Sequence, residues 1–371
     1  MPEPVTDGLG PSRVADEARL IRDVIAAGAA RYLDASPRAS VRVRLRGVQH
    51  RPGSSLYRFE LGTDDRTAGV IVKVLRQRER GLEGGRQRPR LVPLSPADLK
   101  MQLEFRALST VAAELEKRND PRLRWIRPLD CLPELGAMVL EEAPGPNLAT
   151  LARTALYLPS RRGAVTRAME AAGAWLRAFQ DMPFPDAVER RSTAADLSAQ
   201  ATEYIDWLEP RVGGESVAAL SAPIVEALAA ISGPPRLGVS HGDFAMRNLI
   251  VGGDHSVRAI DILGRWRTPV LEDVAYFLNA LQLNRATGAG GLAYARNVLA
   301  RGEDAFLIGY GEVSPRFMSE LRAYQALLLL DRWAADVARR PARGRLRGIP
   351  GGRNDTVMSR LVTRTLREAA R

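Results

Sequence analysis

The residues from His241 to Asp261 are of the types and spacing that could handle a phosphate. His241-Gly242-Asp243 is followed five residues later by Asn248, and Asp261 closes the apolar run Val257–Ile260. Leu249-Ile250-Val251 and that run flank Gly252-Gly253-Asp254. Two short apolar runs about a glycine-rich turn predict a β-hairpin. Such a hairpin holds Asp243 and Asn248 in the loop before its first strand and Asp261 at the exit of its second. The three polar side chains then meet at one end. Phosphoryl transfer asks a protein mainly to position groups and neutralise charge. Asp243 is the candidate base for an acceptor hydroxyl. Asn248 and Asp261 offer the hard oxygens that Mg2+ prefers, of which it takes one or two from side chains.

His-Gly-Asp-x-x-x-x-Asn with an aspartate beyond the hairpin resembles the catalytic loop of the aminoglycoside phosphotransferase and choline kinase family of small-molecule kinases. Protein kinases carry His-Arg-Asp there. Gly242 and Ala245 replace that arginine and the lysine usual two residues after the aspartate, which points away from a protein substrate. The resemblance spans roughly Val41 to Val337. It implies an α+β bilobal protein-kinase-like fold, with a small antiparallel-sheet N-lobe and a mainly helical C-lobe, and it implies ATP and Mg2+ as cofactors.

The elements that would position these residues run through the chain in order. Val14 to Leu33 has a helical stripe at Leu20, Ile21, Val24 and Ile25, with Ser12 as N-cap. Val41, Val43 and Leu45 alternate with Arg42, Arg44 and Arg46, the pattern of a half-exposed strand with a basic face. Two more strands are expected at Leu56–Leu61 and Gly69–Leu75. Judged alone, the Pro-Gly at Gly53 marks an ordinary turn; the resemblance instead places Gly53, Ser54 and Ser55 over nucleotide phosphates. Lys73 lies inside Val70-Ile71-Val72-Lys73-Val74, where an unpaired ammonium would be costly to bury. The family places a phosphate-binding lysine here, paired with a helix glutamate, for which Glu104 is the candidate. A solvated edge lysine and a surface glutamate are the plain alternatives. The arginine-rich Arg76–Arg90 segment reads as a solvated insert, or else as an anion-binding flap. Ser95-Pro96 predicts a helix start, and the helix continues to about Lys117 on Leu99, Leu103, Phe105, Leu108, Val111 and Leu115.

Strands are expected at Trp125–Leu132 and Ala137–Glu141. The resemblance makes Glu141 to Ala143 an interlobe hinge whose backbone meets adenine. Helices follow at 148–156, 162–179, 196–208 and 223–231. The Val165, Met169, Ala172, Leu176 and Phe179 stripe is core, and Asp196, Glu203, Asp206 and Glu209 read as a solvated face, or else as the lining of an acceptor pocket. Glu272-Asp273 starts another helix, and the resemblance gives Asp273 a bracing role on the catalytic loop. His241 is expected to support the loop rather than react. Helices at 303–311 and 314–337 complete the lobe. The tail carries Val357, Leu361 and Leu366, too sparse for a buried face, and reads as a loosely attached basic helix, either solvated or touching an anionic membrane. The resulting divisions are 1–143, an N-terminal lobe; 144–338, a helical catalytic lobe; and 339–371, a basic tail.

The chain has 371 residues, 54 Lys and Arg against 43 Asp and Glu, and a net charge of +11. A positive field favours anionic ligands. One cysteine, Cys131, excludes an internal disulfide and fits a reducing compartment. Three histidines far apart give no zinc cluster. The polar start lacks the pattern of a signal peptide, and no apolar run approaches a membrane span, so the expected location is the cytoplasm. The expected reaction is ATP-dependent phosphorylation of a hydroxyl on a small molecule, a sugar, polyol or related metabolite, neutral or anionic. Two other classes compete: a non-catalytic kinase-like nucleotide-binding protein, and a basic protein that binds nucleic acid or an anionic surface. The complete polar set argues against the first. The lack of a nucleic-acid motif and an aromatic share of 6% argue against the second.

Overall fold

The computed structural model describes residues 11–51, 53–75, 97–190, 192–212, 215–287, 298, 300–339 and 353–370. The insert at Arg76–Arg90, the helix start at Ser95-Pro96 and Pro52 lie outside them. The chain is α+β, with an antiparallel sheet in its N-terminal region and helices in its C-terminal region. It divides into two compact units. The first draws on Met1–Gly81, Ser95–Lys117 and Trp125–Pro144, and the second on Leu82–Leu94, Arg118–Arg124 and Gly145–Arg371.

In the first unit, β1 (Arg42–Arg51), β2 (Ser54–Gly62), β3 (Thr67–Leu75), β4 (Pro128–Leu132) and β5 (Ala137–Glu141) form one antiparallel sheet in the order β1-β2-β3-β5-β4. Alternation along the strands sends Tyr57, Phe59, Leu61, Val70, Val72, Ala137 and Val139 to one face. There they meet Ile21, Ile25, Ala29 and Tyr32 of helix α1 (Pro11–Tyr32) in a continuous core. Leu20, expected on that stripe, is exposed instead, and Ser12 lies within the helix rather than capping it. The opposite phase of the strands carries Leu56, Lys73 and Met138, aligned across β2, β3 and β5. Helix α2 (Ala97–Arg118) buries Met101, Glu104, Leu108, Val111 and Leu115, a 3-4-3-4 stripe with a carboxylate in it. Leu99 is exposed, so the apolar side is rotated from the one expected.

The second unit is helical: α3 (Leu148–Tyr157), α4 (Arg162–Gln180), α5 (Ala194–Val212), α6 (Glu215–Ala218), α7 (Ser221–Ala229), α8 (Leu271–Thr287), α9 (Ala300–Tyr310), α10 (Pro315–Ala338) and α11 (Arg353–Ala369). Caps set several starts. Asn147 accepts from Thr150 N at 2.8 Å, and Ser314 accepts from Phe317 N at 3.2 Å with Pro315 next. Thr193 and Asp196 cap α5 reciprocally, so the helix opens two residues before the expected Asp196. Its acidic residues Glu203, Asp206 and Glu209 are exposed, as a solvated face requires. Between α4 and α9 the main chains nearly touch. A Cβ on Gly173 would stand 2.0 Å from the Phe306 carbonyl oxygen, and one on Gly309 would stand 1.9 Å from that of Glu170.

Two small sheets carry the segment around Asp243. β6 (Val188–Glu189), β10 (Trp266–Pro269) and β7 (Leu237–Val239) form one. The hairpin of β8 (Leu249–Val251) and β9 (Val257–Ala259) forms the other, in the register Leu249↔Ala259 and Val251↔Val257. Asp254 tightens its turn by accepting from Ser256 N and Oγ at 3.1 and 2.6 Å.

The tail helix α11 departs from expectation. It buries Asp355, Met358, Val362, Thr365 and Leu366 and packs on α10. Trp333 Nε1 donates to Asp355 at 2.7 Å, so a polar residue belongs to the buried stripe that apolar counting missed. No described helix is long and apolar enough to cross a membrane.

Candidate active site

In the first unit, Lys73 and Glu104 meet. Lys73 Nζ donates to Glu104 Oε1 at 2.5 Å, with side-chain exposures of 9% and 1%. A carboxylate inside an apolar helix stripe and an ammonium inside an apolar strand each explain the other. Breaking such a buried pair by removing one partner costs about 3–5 kcal/mol. Ser54 and Ser55 lie opposite Leu75 and Val74, further along the sheet from Lys73. Ser55 is buried and its hydroxyl bonds His50 Nδ1 at 2.9 Å. Gly53 turns the chain with φ +90°. At Glu141 and Glu142 the backbone amides are spent within the unit, on Arg127 O and Gly69 O, each at 2.9 Å. Ala143 follows directly, partly exposed.

In the second unit, Asp273 organises the loop that carries Asp243. It stands in the first turn of α8 and is 3% exposed. Its carboxylate accepts His241 N at 2.7 Å, Gly242 N at 3.0 Å and Ser240 Oγ at 3.3 Å. Gly242 has φ +76°, a left-handed turn that glycine makes without strain. His241 is buried, with its ring edge-on to Trp175, Phe179 and Phe244 at centroid distances of 6.4, 6.0 and 5.4 Å. Burial pushes its pKa down, opposed by the charges of Asp273, Asp243 and Asp261. Its Nδ1 accepts Asp243 N at 3.4 Å, which suits a neutral ring. Burial likewise raises the pKa of Asp273, against the pull of His241 and two backbone amides.

Asp243 and Asn248 are directly bonded. Asn248 Nδ2 donates to Asp243 Oδ2 and to Asp243 O, both at 2.9 Å. The amide is therefore oriented, with its nitrogen toward the carboxylate and its carbonyl oxygen left over. Ile260 N donates to Asn248 O at 3.0 Å, extending the hairpin register by one step and setting Asp261 one residue beyond Asn248's partner. Asp261 itself has φ +63°, a left-handed conformation uncommon outside glycine, asparagine and aspartate.

This donor set fits magnesium. Among the described residues, no three or more His, Cys, Asp or Glu side chains gather into a self-sufficient cation site. One amide oxygen and one carboxylate are the small protein share that Mg2+ takes when phosphates and water complete its shell.

Two residues at Asp243 escaped the sequence reading. Tyr276 donates its hydroxyl to Asp243 Oδ1 at 2.6 Å, and Arg247 ion-pairs with the same oxygen. Burial, then the Asp243 charge, pushes the Tyr276 pKa up to about 12, so its phenol remains a donor. The available signals were an arginine four residues after the aspartate and a tyrosine three residues after Asp273.

No family model matches the chain, and no curated protein matches it. Solved structures do match. A choline/ethanolamine kinase family protein from Mesorhizobium loti is 15% identical at a TM-score of 0.51, covering 94% of this chain and 98% of that one. Aminoglycoside phosphotransferase APH(4)-Ia is 12% identical at a TM-score of 0.53, covering 95% and 99%. An amicoumacin kinase solved with AMP-PNP and Ca2+ is 10% identical at a TM-score of 0.50, covering 97% and 96%. The chain shares their kinase-like fold.

Proposed function

We propose that the chain is a kinase that transfers the γ-phosphoryl group of ATP to a hydroxyl of a small molecule. The bonded pair of Asp243 and Asn248, with Asp261 held one register step away, carries this reading. It provides a base and two oxygen donors on a short hairpin and the loop that leads into it. The fold shared with the choline/ethanolamine kinase family protein and the aminoglycoside phosphotransferase supports it.

In this mechanism Lys73 holds nucleotide phosphates, and Glu104 orients it. The turn at Gly53 to Ser55 covers the phosphates, and the Glu141 to Ala143 backbone meets the base by groups other than the already bonded amides of Glu141 and Glu142. Asn248 Oδ1 and Asp261 are the residues that would hold magnesium, which supplies positive charge to the phosphate oxygens when bound. Asp243 takes the acceptor's proton. Asp273 fixes the loop through two backbone amides, and His241 fills the space beneath it.

The test is an ATP-coupled screen of hydroxylated metabolites, with GTP as an alternative donor. Asp243→Asn is expected to abolish turnover and leave calorimetric ATP affinity nearly unchanged. Undiminished turnover in that variant would remove Asp243 from the role.

A further inference from the structure

In the run from Phe244 to Leu249, Arg247 is the exposed residue and its neighbours are buried. Its guanidinium reaches back to Asp243 Oδ1, the oxygen that also accepts the Tyr276 hydroxyl. A carboxylate oxygen offers two lone-pair sites, so both sites on Oδ1 are engaged. Oδ2 accepts from Asn248. A guanidinium bonded to a general base opposes it, because it fills a lone-pair position that the acceptor hydroxyl needs. Tyr276 cannot relieve this, since its hydroxyl is itself a donor to the same oxygen.

The pair is also exchangeable. The Arg247 side chain is 55% exposed and that of Asp243 is 38% exposed. Solvent-facing ion pairs of this kind contribute little. Arginine's planar fork takes a carboxylate or phosphate through two parallel bonds. An incoming anion can therefore offer Arg247 two charged oxygens, where Asp243 offers it one.

We propose that Arg247 selects the acceptor: it leaves Asp243 for a carboxylate or phosphate group on the substrate, and so frees Asp243 Oδ1 to receive the hydroxyl proton. This rests on the kinase reading and narrows it to a hydroxylated metabolite that already bears an anionic group. The step balances. The acceptor oxygen forms the new O–P bond as the bond to the β,γ-bridging oxygen of ATP breaks. ADP departs, and the proton passes to Asp243.

The test compares matched acceptors, glycerol with glycerol 3-phosphate and glucose with gluconate, in wild type, Arg247→Gln and Arg247→Lys. Wild type is expected to favour an anionic member by about 10- to 100-fold in kcat/KM, the worth of a charged hydrogen bond. Arg247→Gln is expected to erase the preference, and Arg247→Lys to keep part of it. A preference that survives in Arg247→Gln, or a wild type that favours the neutral members, overturns the proposal. Turnover of the phosphate alone assigns the anion as phosphate, and turnover of both assigns anionic charge in general.

Calorimetric titration with glycerol 3-phosphate and gluconate separates this proposal from the kinase reading. Binding in wild type that Arg247→Gln loses supports the anion site even if no acceptor is phosphorylated, an outcome that would count against the kinase reading alone. No binding to wild type, or equal binding to both proteins, overturns the role of Arg247.

Discussion

Replacing Asp273 by asparagine keeps the side chain's size and removes one of its two acceptor oxygens. The carboxylate now serves His241 N at 2.7 Å and Gly242 N at 3.0 Å while 3% exposed. Asparagine can satisfy one of these amides, and its NH2 then confronts the other. Losing a hydrogen bond to a charged, buried group costs about 1.5–3 kcal/mol. An opposing effect is the cost of burying the charge, which raises the Asp273 pKa and which asparagine does not bear. The net expectation is a loss of about 1–2 kcal/mol. For a cooperative unit of this size, that lowers Tm by about 2–8 °C. Scanning calorimetry of the two proteins measures it, and hydrogen exchange at the amides of 241 and 242 reports where the loss occurs. Displacing the loop by an ångström is enough to reduce kcat about 100-fold. A variant with wild-type Tm and wild-type protection at both amides would refute the account of how the loop is held.

Other outcomes follow from the same geometry. Lys73→Met or Glu104→Gln alone is expected to cost about 3–5 kcal/mol by stranding a buried charge or its partner, whereas the double change Lys73→Met with Glu104→Leu should recover most of the loss in thermal unfolding. Single variants as stable as the double would contradict the pairing. Asp261→Asn keeps a residue that tolerates the left-handed backbone, so its Tm should hold while Mg2+-dependent ATP affinity falls at least about tenfold, the scale of a lost charged contact; equal affinities by calorimetry would count against Asp261 as a metal ligand. Burial, then the Asp243 charge, pushes Tyr276 up to about 12 in the folded chain from an ordinary 10.0. The folded state therefore holds that proton more tightly between those values, and the stability it contributes is complete below pH 10 and lost as pH rises through 12. The difference in tyrosinate absorbance between wild type and Tyr276→Phe should centre near pH 12, and a midpoint near 10 would be inconsistent with a phenol buried beside Asp243.

Much of this architecture was legible because local pattern and tertiary demand agree. The hairpin could be read from a glycine turn between apolar runs, and Lys73 from a cation in an apolar strand. Glu104 was legible only through Lys73, since its place in a buried stripe shows once the helix phase is known, and Leu99 had set that phase wrongly. The tail helix was misread for a related reason. Its buried face contains Thr365 and Asp355, the latter bonded to Trp333, so counting apolar residues picked out Val357 and Leu361 instead. Arg247 and Tyr276 left no periodic trace. One sits in a single 3-10 turn and the other a turn along α8, and only the folded loop brings both to one oxygen.

The reciprocal glycine contact between α4 and α9 makes those two helices one mechanical part. Each backbone occupies the place where the other's side chain would stand, so neither can slide or roll without its neighbour. Trp175 and Phe179 ride on α4 beneath His241, which means the floor under the Asp243 loop is bolted to α9 as well. Any adjustment at that loop would then have to come from solvent-facing positions such as Arg247.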